Sequence, residues 1–354
     1  MELLSVTMND GVKPRSEIEG KDNSSEDKSN YKIVRKGDMV YNSMRMWQGA
    51  NGISPCDGIV SPAYTVLMPK QEINNGYFAA FFKSANLINE FRKNSQGMTS
   101  DTWNLKYPQI ETIKIQIPSV SEQDKVSELF GVLDARIVAQ AQLVESLKKY
   151  KRGVVCKVFS EIERECNTVR LGDCVSILRG GSPRPIDAYI TDDPDGINWI
   201  KIGDTSADEL YITRTREKII PSGAKKSRRV FQGDLILSNS MSFGRPYILQ
   251  IDGCIHDGWL LIRDEDNVFE KRFLCYYLGS DNVIAQYKRF AAGSCVNNLN
   301  SELVGNVEIC CPPHSTQQEI AEMLTVLDSR IAHANRTYEA LLRMRTSLLQ
   351  QLFI

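Results

Sequence analysis

The chain has 354 residues, of which 25% are charged and 42% are hydrophobic, and its formal net charge at pH 7 is −1. This length suffices for two domains with hydrophobic cores. The near-zero charge excludes binding to a polyanion by bulk charge alone, although local basic patches can still bind DNA.

The composition and the N-terminus predict a cytoplasmic protein that does not associate with membranes. No apolar run reaches the ~20 residues that a membrane-spanning helix needs, and the first residues lack the charged-then-apolar layout of a signal peptide. The nine cysteines include no CxxC pair, and the three histidines lie far apart in the sequence. Unpaired cysteines fit a reducing compartment, and without clustered ligands we expect no metal site.

Residues 1–118 have the pattern of a strand-rich α+β unit. A Gly-Asp turn at 37–38 leads into an apolar strand, and a second strand is expected at 63–67. Residues 77–82 are rich in aromatic side chains and predict a short helix. Residues 113–118 alternate as a strand that ends at a proline.

Residues 119–160 predict a long amphipathic helix. Ser121 ahead of Glu122 supplies a capping hydroxyl. Gln140 and Lys151 occupy two polar positions of a seam with the alternating spacing of a coiled coil. The apolar seam residues are Val126, Phe130, Leu133, Ile137, Val144, Leu147, Val154 and Val158.

Residues 161–313 repeat the first unit at a period of about 195 residues. Gly233-Asp234 repeats the turn at 37–38, and Asp257-Gly258 before a strand repeats Asp57-Gly58. A helix at 273–278 and a strand at 307–312 complete the repeat.

The opening of the second unit has no counterpart in the first. Residues 169–183 precede the second copy, whereas residues 3–6 already align with 199–202. The first unit therefore lacks about 30 residues at its front, which in a strand-rich unit means missing strands, exposed edges and lost core area.

Residues 314–354 repeat the long helix. Leu-Asp-Ser-Arg-Ile at 327–331 follows Leu-Asp-Ala-Arg-Ile at 133–137 by 194 residues. A seam of this length must be covered, so we expect the two helices to form an antiparallel coiled coil in a pseudo-two-fold α+β protein. The seam residues are Ile320, Leu324, Leu327, Ile331, Ala334, Tyr338, Leu341, Arg345, Leu348 and Leu352.

Polar residues on the seam allow two interpretations. Gln140, Lys151 and Arg345 either penalise wrong registers of the helix pair, or the two cations extend to solvent at the helix ends. Further apolar helix positions leave room for helices of another protein, namely Val132, Val138, Leu143, Val155, Val326, Leu342 and Leu349.

Basic clusters and two pairs of matched polar loops are the candidates for DNA contact. Basic side chains bind phosphates, whereas Arg, Asn and Gln can read base edges. Solvated surface and ordinary polar loops remain the alternatives, but the paired loops differ between the copies more than the strands around them, which favours recognition. The basic candidates are Lys13, Arg15, Arg184, Arg214, Arg216, Lys225, Lys226, Arg228 and Arg229. The loop candidates are Asn42, Arg45, Gln48, Thr99, Ser100, Asn239, Ser240, Arg245, Asn297 and Asn298.

The motifs of common catalytic sites do not occur in the sequence. It contains no GxxxxGK[ST] loop, no GxGxxG motif that opens a helix after a strand, and no Asn-Pro-Pro-aromatic tetrad for base methylation. The acidic run at 192–195 has the composition of a turn. We therefore expect a non-catalytic protein.

The whole pattern resembles the DNA-specificity subunit of type I restriction–modification systems. The resemblance is carried by Ile117-Pro118, Gln123 and 133–137 in the first copy, and its second-copy equivalents are Pro312-Pro313, 317–320 and 327–331. Residues 169–173 also look like the family's entry into a recognition domain.

This resemblance implies the function and the partners of the chain. Two target recognition domains would read the two halves of a bipartite site in double-stranded DNA, separated by a helical spacer of about 57 Å. Two methyltransferase subunits would dock on the helices, and restriction–translocase subunits would cut. This chain would bind no cofactor, since S-adenosylmethionine, ATP and magnesium would belong to those partners.

The short front of the first unit departs from the family pattern. It indicates either that the true start codon lies further upstream or that the chain is a shortened, silent copy of a specificity subunit with one working recognition domain. Two other classes stay open: a stand-alone sequence-specific DNA-binding protein, and a fragment of a fused restriction enzyme.

Overall fold

The computed structural model describes residues 1–8, 10–20, 22, 24–206, 209–239, 244–291 and 298–353. Unit 1 comprises Met1–Val144 and Ala334–Ile354, and unit 2 comprises Glu145–His333. Each long helix therefore contributes one half to each unit. Among the described residues, no helix is both long and apolar enough to cross a membrane.

Unit 1 contains two small sheets and a group of helices. One sheet has the strand order β2-β1-β6-β3 and the other the order β5-β4-β7. Short 3-10 turns lie at Arg15–Glu17 and Met46–Gln48. The strands are β1 (Glu2–Val6), β2 (Val12–Pro14), β3 (Lys32–Val34), β4 (Met39–Asn42), β5 (Asn51–Ile53), β6 (Gly58–Val60) and β7 (Tyr64–Leu67). The helices are α1 (Asn75–Phe81), α2 (Ala85–Asn94), α3 (Tyr107–Ile110) and the first part of α4 (Val120–Glu165).

Unit 2 begins within α4 and is built on the same plan with additional strands. Its 3-10 turns lie at Ile186–Ala188 and Ile202–Asp204. The strands are β8 (Thr168–Arg170), β9 (Ser176–Arg179), β10 (Ile190–Thr191), β11 (Ile197–Ile200), β12 (Tyr211–Ile212), β13 (Glu217–Ile219), β14 (Arg228–Val230), β15 (Leu235–Ser238), β16 (Pro246–Leu249), β17 (Gly253–Ile255), β18 (Trp259–Arg263) and β19 (Glu308–Cys310). The helices are α5 (Leu171–Cys174), α6 (Pro221–Ala224), α7 (Lys271–Leu278), α8 (Asp281–Ala291), α9 (Ser301–Gly305) and α10 (His314–Leu352), of which α10 extends into unit 1.

Equivalent strands pair in the same way in both units, which confirms the predicted duplication and the α+β class. β1 runs parallel to β6 with Leu3 opposite Ile59, and β11 runs parallel to β17 with Trp199 opposite Cys254. β4 lies between β5 and β7, as β15 lies between β16 and β18. The predicted alignment of residues 3–6 with 199–202 is therefore correct.

The predicted match of Asp57-Gly58 with Asp257-Gly258 is wrong. Gly58 begins β6, whose equivalent is β17, so the true counterpart of Asp57 is Asp252. Each of these two carboxylates accepts a backbone N–H across 2.8 Å, Asp57 from Lys36 and Asp252 from Gln232. The repeated Asp-Gly dipeptide misled the alignment because turns share this composition.

The predicted strand at 113–118 is also wrong, because residues 113–119 form neither strand nor helix. Its counterpart β19 is a strand that pairs with β8. The described part of unit 1 contains no equivalent of β8. An alternating pattern alone does not make a strand, because a strand needs a neighbour to accept its hydrogen bonds.

The ends of the long helices differ from the prediction. α4 begins at Val120, and Ser119 rather than Ser121 caps it, because its hydroxyl and backbone N–H both bond to the Glu122 carboxylate. The helix continues five residues past the predicted end at Ser160, to Glu165. α10 begins at His314, where the sequence predicted it to begin.

The long helices pack with most of their predicted seam residues inside, although Leu352 is exposed. Within unit 1, Arg345 bonds to Asp134 (2.5 Å) and Gln140 bonds to the carbonyl of Ala334 (2.9 Å), so rising numbers on α4 meet falling numbers on α10. This antiparallel order is as predicted. Phe130, Leu133, Leu324, Ile331 and Leu341 are buried, and Ile137, Leu147 and Leu327 are half-buried.

The two cationic residues of the seam, Lys151 and Arg345, form ion pairs and do not extend to solvent. In unit 2, Lys151 bonds to Asp328 across 2.5 Å, and Asp328 also accepts from the Tyr276 hydroxyl at 2.7 Å. Asp328 is the repeat of Asp134, and Arg345 is the repeat of Lys151. The two units therefore contain the same ion pair with the contributing helices exchanged, which supports a role in register.

Most of the other predicted apolar helix positions are exposed. Val132, Val138, Leu143, Val326 and Leu342 are open to solvent. Leu349 is instead buried in the core of unit 1, and Val155 packs against the core of unit 2. These two residues therefore stabilise their own units.

Candidate nucleic-acid interface

The structure joins the two predicted loops of each unit by an equivalent hydrogen bond. In unit 1, the N–H of Leu105 donates to the carbonyl of Ser43 across 2.8 Å. In unit 2, the N–H of Leu299 donates to the carbonyl of Asn239 across 3.0 Å. Leu299 is the repeat of Leu105, and Asn239 is the repeat of Ser43, so the bond occupies the same place in both repeats. In unit 1, where both loops are described, it joins them into one surface, which we call the loop surface.

Aromatic side chains dominate the loop surface of unit 1. Trp47 and Trp103 meet edge to face with their ring centroids 5.2 Å apart, and Arg92 lies over Trp47 at 5.7 Å. The indole N–H of Trp47 donates to the carbonyl of Met44. Sequence reasoning missed Arg92, because its position on α2 shows no link to either loop.

The predicted loop residues of unit 1 surround this aromatic pair in sequence. Arg45, Thr99 and Ser100 are exposed, whereas Gln48 is half-buried. Asn42 is engaged locally, since its side-chain oxygen accepts the N–H of Met44.

The two basic candidates near β2 already have partners. Arg15 donates to the carbonyls of Ile18 (2.6 Å) and Gly20 (3.0 Å), and it fastens its own turn. Lys13 lies 3.5 Å from the carboxylate of Asp10. Arg15 therefore stabilises its own turn, whereas Lys13 forms an ion pair with Asp10 at the surface.

Asp257 connects its own segment of unit 2 with two others, at 179–184 and at 239. Its carboxylate accepts from the Ser182 hydroxyl (2.7 Å) and from the Arg184 guanidinium (3.2 Å). Its backbone carbonyl accepts from Asn239 (2.8 Å) and Arg179 (3.3 Å). We call Arg179, Ser182, Arg184, Asn239 and Asp257 the Asp257 hub.

Electrostatics keeps the hub anionic at its centre. The hydrogen bond from Ser182 holds the pKa of Asp257 below its ordinary value, and the positive charge of Arg184 acts in the same direction. Ionised Asp257 can thus hold Arg184 in place. Asn239 is buried, so it positions the loop and is not exposed to a base edge.

His256 lies beside the hub, in surroundings that favour its neutral form. Its Nδ1 accepts the N–H of Gly258 across 2.7 Å, and burial lowers the pKa of the imidazole. A cavity of about 660 Å³ opens next to it, lined by Ser182, Arg184, Trp199, Lys201 and His256 among others.

The predicted basic run at 225–229 joins the same region. Arg228 donates to the carbonyl of Arg179 (3.1 Å), and Lys226 bonds to the Tyr189 hydroxyl (2.5 Å). Lys225 and Arg229 are exposed. The structure therefore brings this run to the hub, which the sequence did not show.

The remaining candidates of unit 2 are distributed differently. Arg216 is exposed, with its guanidinium 3.9 Å from Asp204, and Arg214 is also exposed. Arg245 is half-buried and lines a second cavity together with Lys151 and Arg152 of α4. Asn298 is exposed, whereas Ser240 and Asn297 lie outside the described residues.

The Gly-Gly pair before Ser182 is the sequence feature that could have indicated the hub, because it allows this segment to approach the backbone next to Asp257 closely. A Cβ atom on Gly180 would lie 2.0 Å from the carbonyl oxygen of His256, so only glycine permits this approach. Arg179, Ser182 and Asp257 were missed because their partners lie far away in the sequence.

The part of the chain that the structure describes offers no metal site. The described residues contain no group of three or more His, Cys, Asp or Glu side chains placed to hold a metal ion. The acidic run at 192–195 forms a turn, as predicted, in which Gly196 N–H donates to the carbonyl of Asp193.

Comparison with known sequences identifies one family. The model of the family described as "Type I restriction modification DNA specificity domain" matches residues 5–149 and 163–343. The chain is 20% identical over 297 residues to the putative type I restriction enzyme MjaX specificity subunit of Methanocaldococcus jannaschii, which covers 78% of this chain and 66% of that relative. It is 21% identical to the MjaVIII specificity subunit of the same organism, over 90% of this chain and 79% of that protein.

Solved structures show a similar fold. A chain from a study of complex assembly and conformational transition of the type I R-M system has a TM-score of 0.61 at 19% identity, covering 93% of this chain and 84% of that one. The type I restriction–modification S subunit from M. genitalium has a TM-score of 0.58 at 15% identity, covering 91% and 84%.

Proposed function

The chain belongs to the type I restriction–modification DNA specificity family, and we propose that it recognises a two-part sequence in double-stranded DNA without catalysing a reaction. The Asp257 hub carries this proposal, because it assembles basic and polar side chains from distant segments on one face of unit 2. Phosphate contacts would orient this face on the duplex, and held side chains would read bases.

In unit 2, the residues divide into two roles. Lys225, Lys226 and Arg229 would contact phosphates, since they are exposed and belong to one basic run. Arg184 would read a base edge, because Asp257 fixes its guanidinium and arginine pairs bidentately with guanine.

In unit 1, the chemistry of the loop surface is more apolar. Trp47 and Trp103, with exposed Met98, would contact thymine methyl groups. Arg45, Thr99 and Ser100 would supply polar contacts beside them. The two halves of the target would then be read by different chemistry.

The exposed apolar positions on the long helices support docking of partner subunits. We propose that two methyltransferase subunits bind there and that restriction–translocase subunits join the complex. S-adenosylmethionine, ATP and magnesium would be bound by those partners. Val132 and Val326, exposed by 64% and 53% respectively, are the positions we would change first to weaken docking.

The experiment has two steps. Single-molecule sequencing of methylated genomic DNA, with and without this gene, yields the target sequence. Binding of that DNA by the chain with its methyltransferase is then measured for variants. Arg184→Ala should reduce discrimination at one base pair by about 1–3 kcal/mol. Lys225→Ala should instead weaken binding to all DNA sequences alike and lower the slope of log affinity against log salt concentration by about 1.

Arg330→Ala, an exposed change on α10, is the matched control and should leave DNA binding unchanged. If Arg184→Ala, like Lys225→Ala, reduces the DNA-binding affinity equally for all sequences, then Arg184 does not read a base. Tight, specific binding by the chain without a methyltransferase would favour a stand-alone DNA-binding protein.

A further inference from the structure

A cavity with an apolar wall opens beside the Asp257 hub, and every residue that lines it belongs to unit 2. Pro183 is buried, Ile186 is half-buried, and Trp199 is only 2% exposed. The volume of about 660 Å³ lies in the range of small-molecule sites, roughly 300–1,000 Å³. We call this space the Trp199 cavity.

The indole N–H of Trp199 is a buried hydrogen-bond donor without a partner. The ring packs against Ile219 and Cys254, and no described residue accepts a hydrogen bond from its N–H. The N–H is not sealed within the core either, so the exposed part of the side chain opens on the cavity. By contrast, the N–H of Trp259 donates to the carbonyl of Ile200 across 3.2 Å. A buried donor normally has a partner, so the free donor of Trp199 leaves a place for an acceptor that the fold does not supply.

Charged side chains also line the cavity, and among them that of Asp187 is free to accept a hydrogen bond. Arg184 bonds to Asp257, and Lys201 bonds to Glu217. Asp187 is exposed, and its carboxylate has no partner among the described residues. The cavity therefore offers a donor, an acceptor and apolar surface.

A nucleobase has the chemistry that this combination requires. Its flat faces can stack on apolar side chains, and its edge carries both acceptors and donors. Trp199 can donate to a ring nitrogen or a carbonyl oxygen of the base, and Asp187 can accept from an exocyclic amine or a ring N–H. In unit 1, Leu3 stands in place of Trp199 and has no side-chain donor, so this site is a feature of unit 2.

We propose that the Trp199 cavity binds a nucleobase that leaves the DNA stack next to the base contacted by Arg184. Arg184 belongs to both the hub and the cavity, so a base in the cavity lies beside the one that Arg184 reads. The stacking and hydrogen bonds lost in the duplex are replaced inside the cavity. This inference rests on the proposed function, since it requires the hub face of unit 2 to lie on the duplex.

Free nucleosides test the cavity without DNA. The full chain, isotope-labelled at the tryptophan nitrogens, is titrated with deoxyadenosine, deoxycytidine, deoxyguanosine and thymidine in turn, and the indole N–H signals are followed by NMR spectroscopy. The signal that is missing from Trp199→Phe identifies Trp199. We expect it to move downfield in a saturable manner with at least one nucleoside, while the signal of Trp259 stays in place because its N–H is bonded within the fold.

Variants of the two polar groups give a second readout. Trp199→Phe keeps an aromatic ring and removes a donor that bonds to no described residue, and Asp187→Ala changes an exposed side chain, so unit 2 should fold in both. Each should bind the nucleoside about tenfold more weakly in equilibrium dialysis, which corresponds to one hydrogen bond. Asp192→Ala removes an exposed carboxylate outside the cavity and should bind like the unchanged chain.

A DNA duplex identifies the source of the base. Once sequencing of methylated DNA has given the target, the fluorescent base analogue aminopurine is placed at each position of the target in turn. In complex with the chain and its methyltransferase, we expect the fluorescence to rise at one position and Trp199→Phe to abolish this rise, since the analogue brightens when it leaves the stack. A rise at the methylated adenine, which the methyltransferase extrudes, should instead persist.

Nucleoside binding without that rise would overturn the DNA source and assign the cavity to a free nucleoside. If neither measurement responds while the complex still binds its target, the cavity holds no base and the proposed function stands. Failure of the complex to bind any specific DNA would count against the proposed function, and the nucleoside titration would still decide whether the cavity binds a base.

Discussion

Units 1 and 2 share a strand plan, yet equivalent strands differ sharply in burial. The first four residues of β18 are buried because β9 pairs with its outer edge, whereas β7 is half-buried and lacks such a neighbour among the described residues. Ile309 and Ile115 occupy equivalent positions in the two units and differ in the same way. The burial of a strand is therefore decided by its neighbours rather than by its own apolar pattern.

The polar framework at the start of each long helix is instead the same. Gln123 accepts the N–H of Asn74 and donates to the carbonyl of Pro118, each across 2.9 Å. Gln317 accepts the N–H of Glu270 (2.7 Å) and donates to the carbonyl of Pro312 (2.9 Å). Both amides are buried, so each long helix is fixed to its own unit by the same device.

The largest expected effect comes from the aromatic residues near the C-terminal ends of α4 and α10. Changing them tests whether the hydrophobic cores of the two units are equally well packed there. Phe159 stacks on Tyr277 with centroids 4.4 Å apart, and its repeat Phe353 stacks on Phe81 at 5.2 Å. Phe159→Ala should lower the free energy of unfolding of unit 2 by about 3–5 kcal/mol. Phe353→Ala should lower that of unit 1 by less, about 3 kcal/mol, because Phe353 lies just past the last residue of α10 whereas Phe159 lies inside α4, so the backbone at Phe353 can relax into the space more readily.

Guanidinium unfolding followed by tryptophan fluorescence measures both changes. Trp47 and Trp103 report on unit 1, and Trp199 and Trp259 report on unit 2. An equal or larger loss from Phe353→Ala would show that the two cores are equally well packed there.

A smaller effect is expected from the buried glutamines. Gln317→Ala should destabilise unit 2 by about 3 kcal/mol and Gln123→Ala should destabilise unit 1 by about 2 kcal/mol, because each change leaves buried backbone groups unpaired. The difference arises because Gln317 also donates to the carbonyl of Val268 (3.2 Å).

The same unfolding measurement applies, with Gln318→Ala on the exposed face of α10 as the matched control. That control should change stability by less than about 0.5 kcal/mol. If either buried change is as mild as the control, the amide does not fix the helix to its unit.

The smallest effect concerns the pH dependence of unit 2. The folded protein holds the pKa of His256 below its ordinary value of 6.5 through burial. The unfolded chain therefore binds a proton at a higher pH than the folded chain does, so the stability of unit 2 should fall as the pH drops through about 6.5. Unit 1 carries Ser61 at the equivalent position and lacks this contribution.

His256→Gln should flatten the pH dependence of the unit 2 transition between about pH 7.5 and pH 5.5, where a free histidine titrates. Gln318→Ala, an exposed change on α10 that removes no titratable group, should leave the dependence as it was. An unchanged slope in His256→Gln would assign the acid sensitivity to other groups.

The sequence by itself determined the duplication, the paired long helices and the seam between them. These features depend on spacing along one helix or on turns a few residues long, so residues such as Phe130 and Leu324 were predictable from periodicity alone. The helices at 77–82 and 273–278 and the strands entered at 39 and 235 were predictable for the same reason.

The tertiary structure decided what depends on contacts between distant residues. It made residues 113–117 irregular, because β8 has no equivalent in the described part of unit 1, and it buried Asn239 under Asp257. It also assembled the Asp257 hub, since Ser182 and Asp257 are separated by 75 residues. Hydrogen-bond partners at such separations leave no periodic trace in the sequence, so only the folded chain shows which polar residues form one surface.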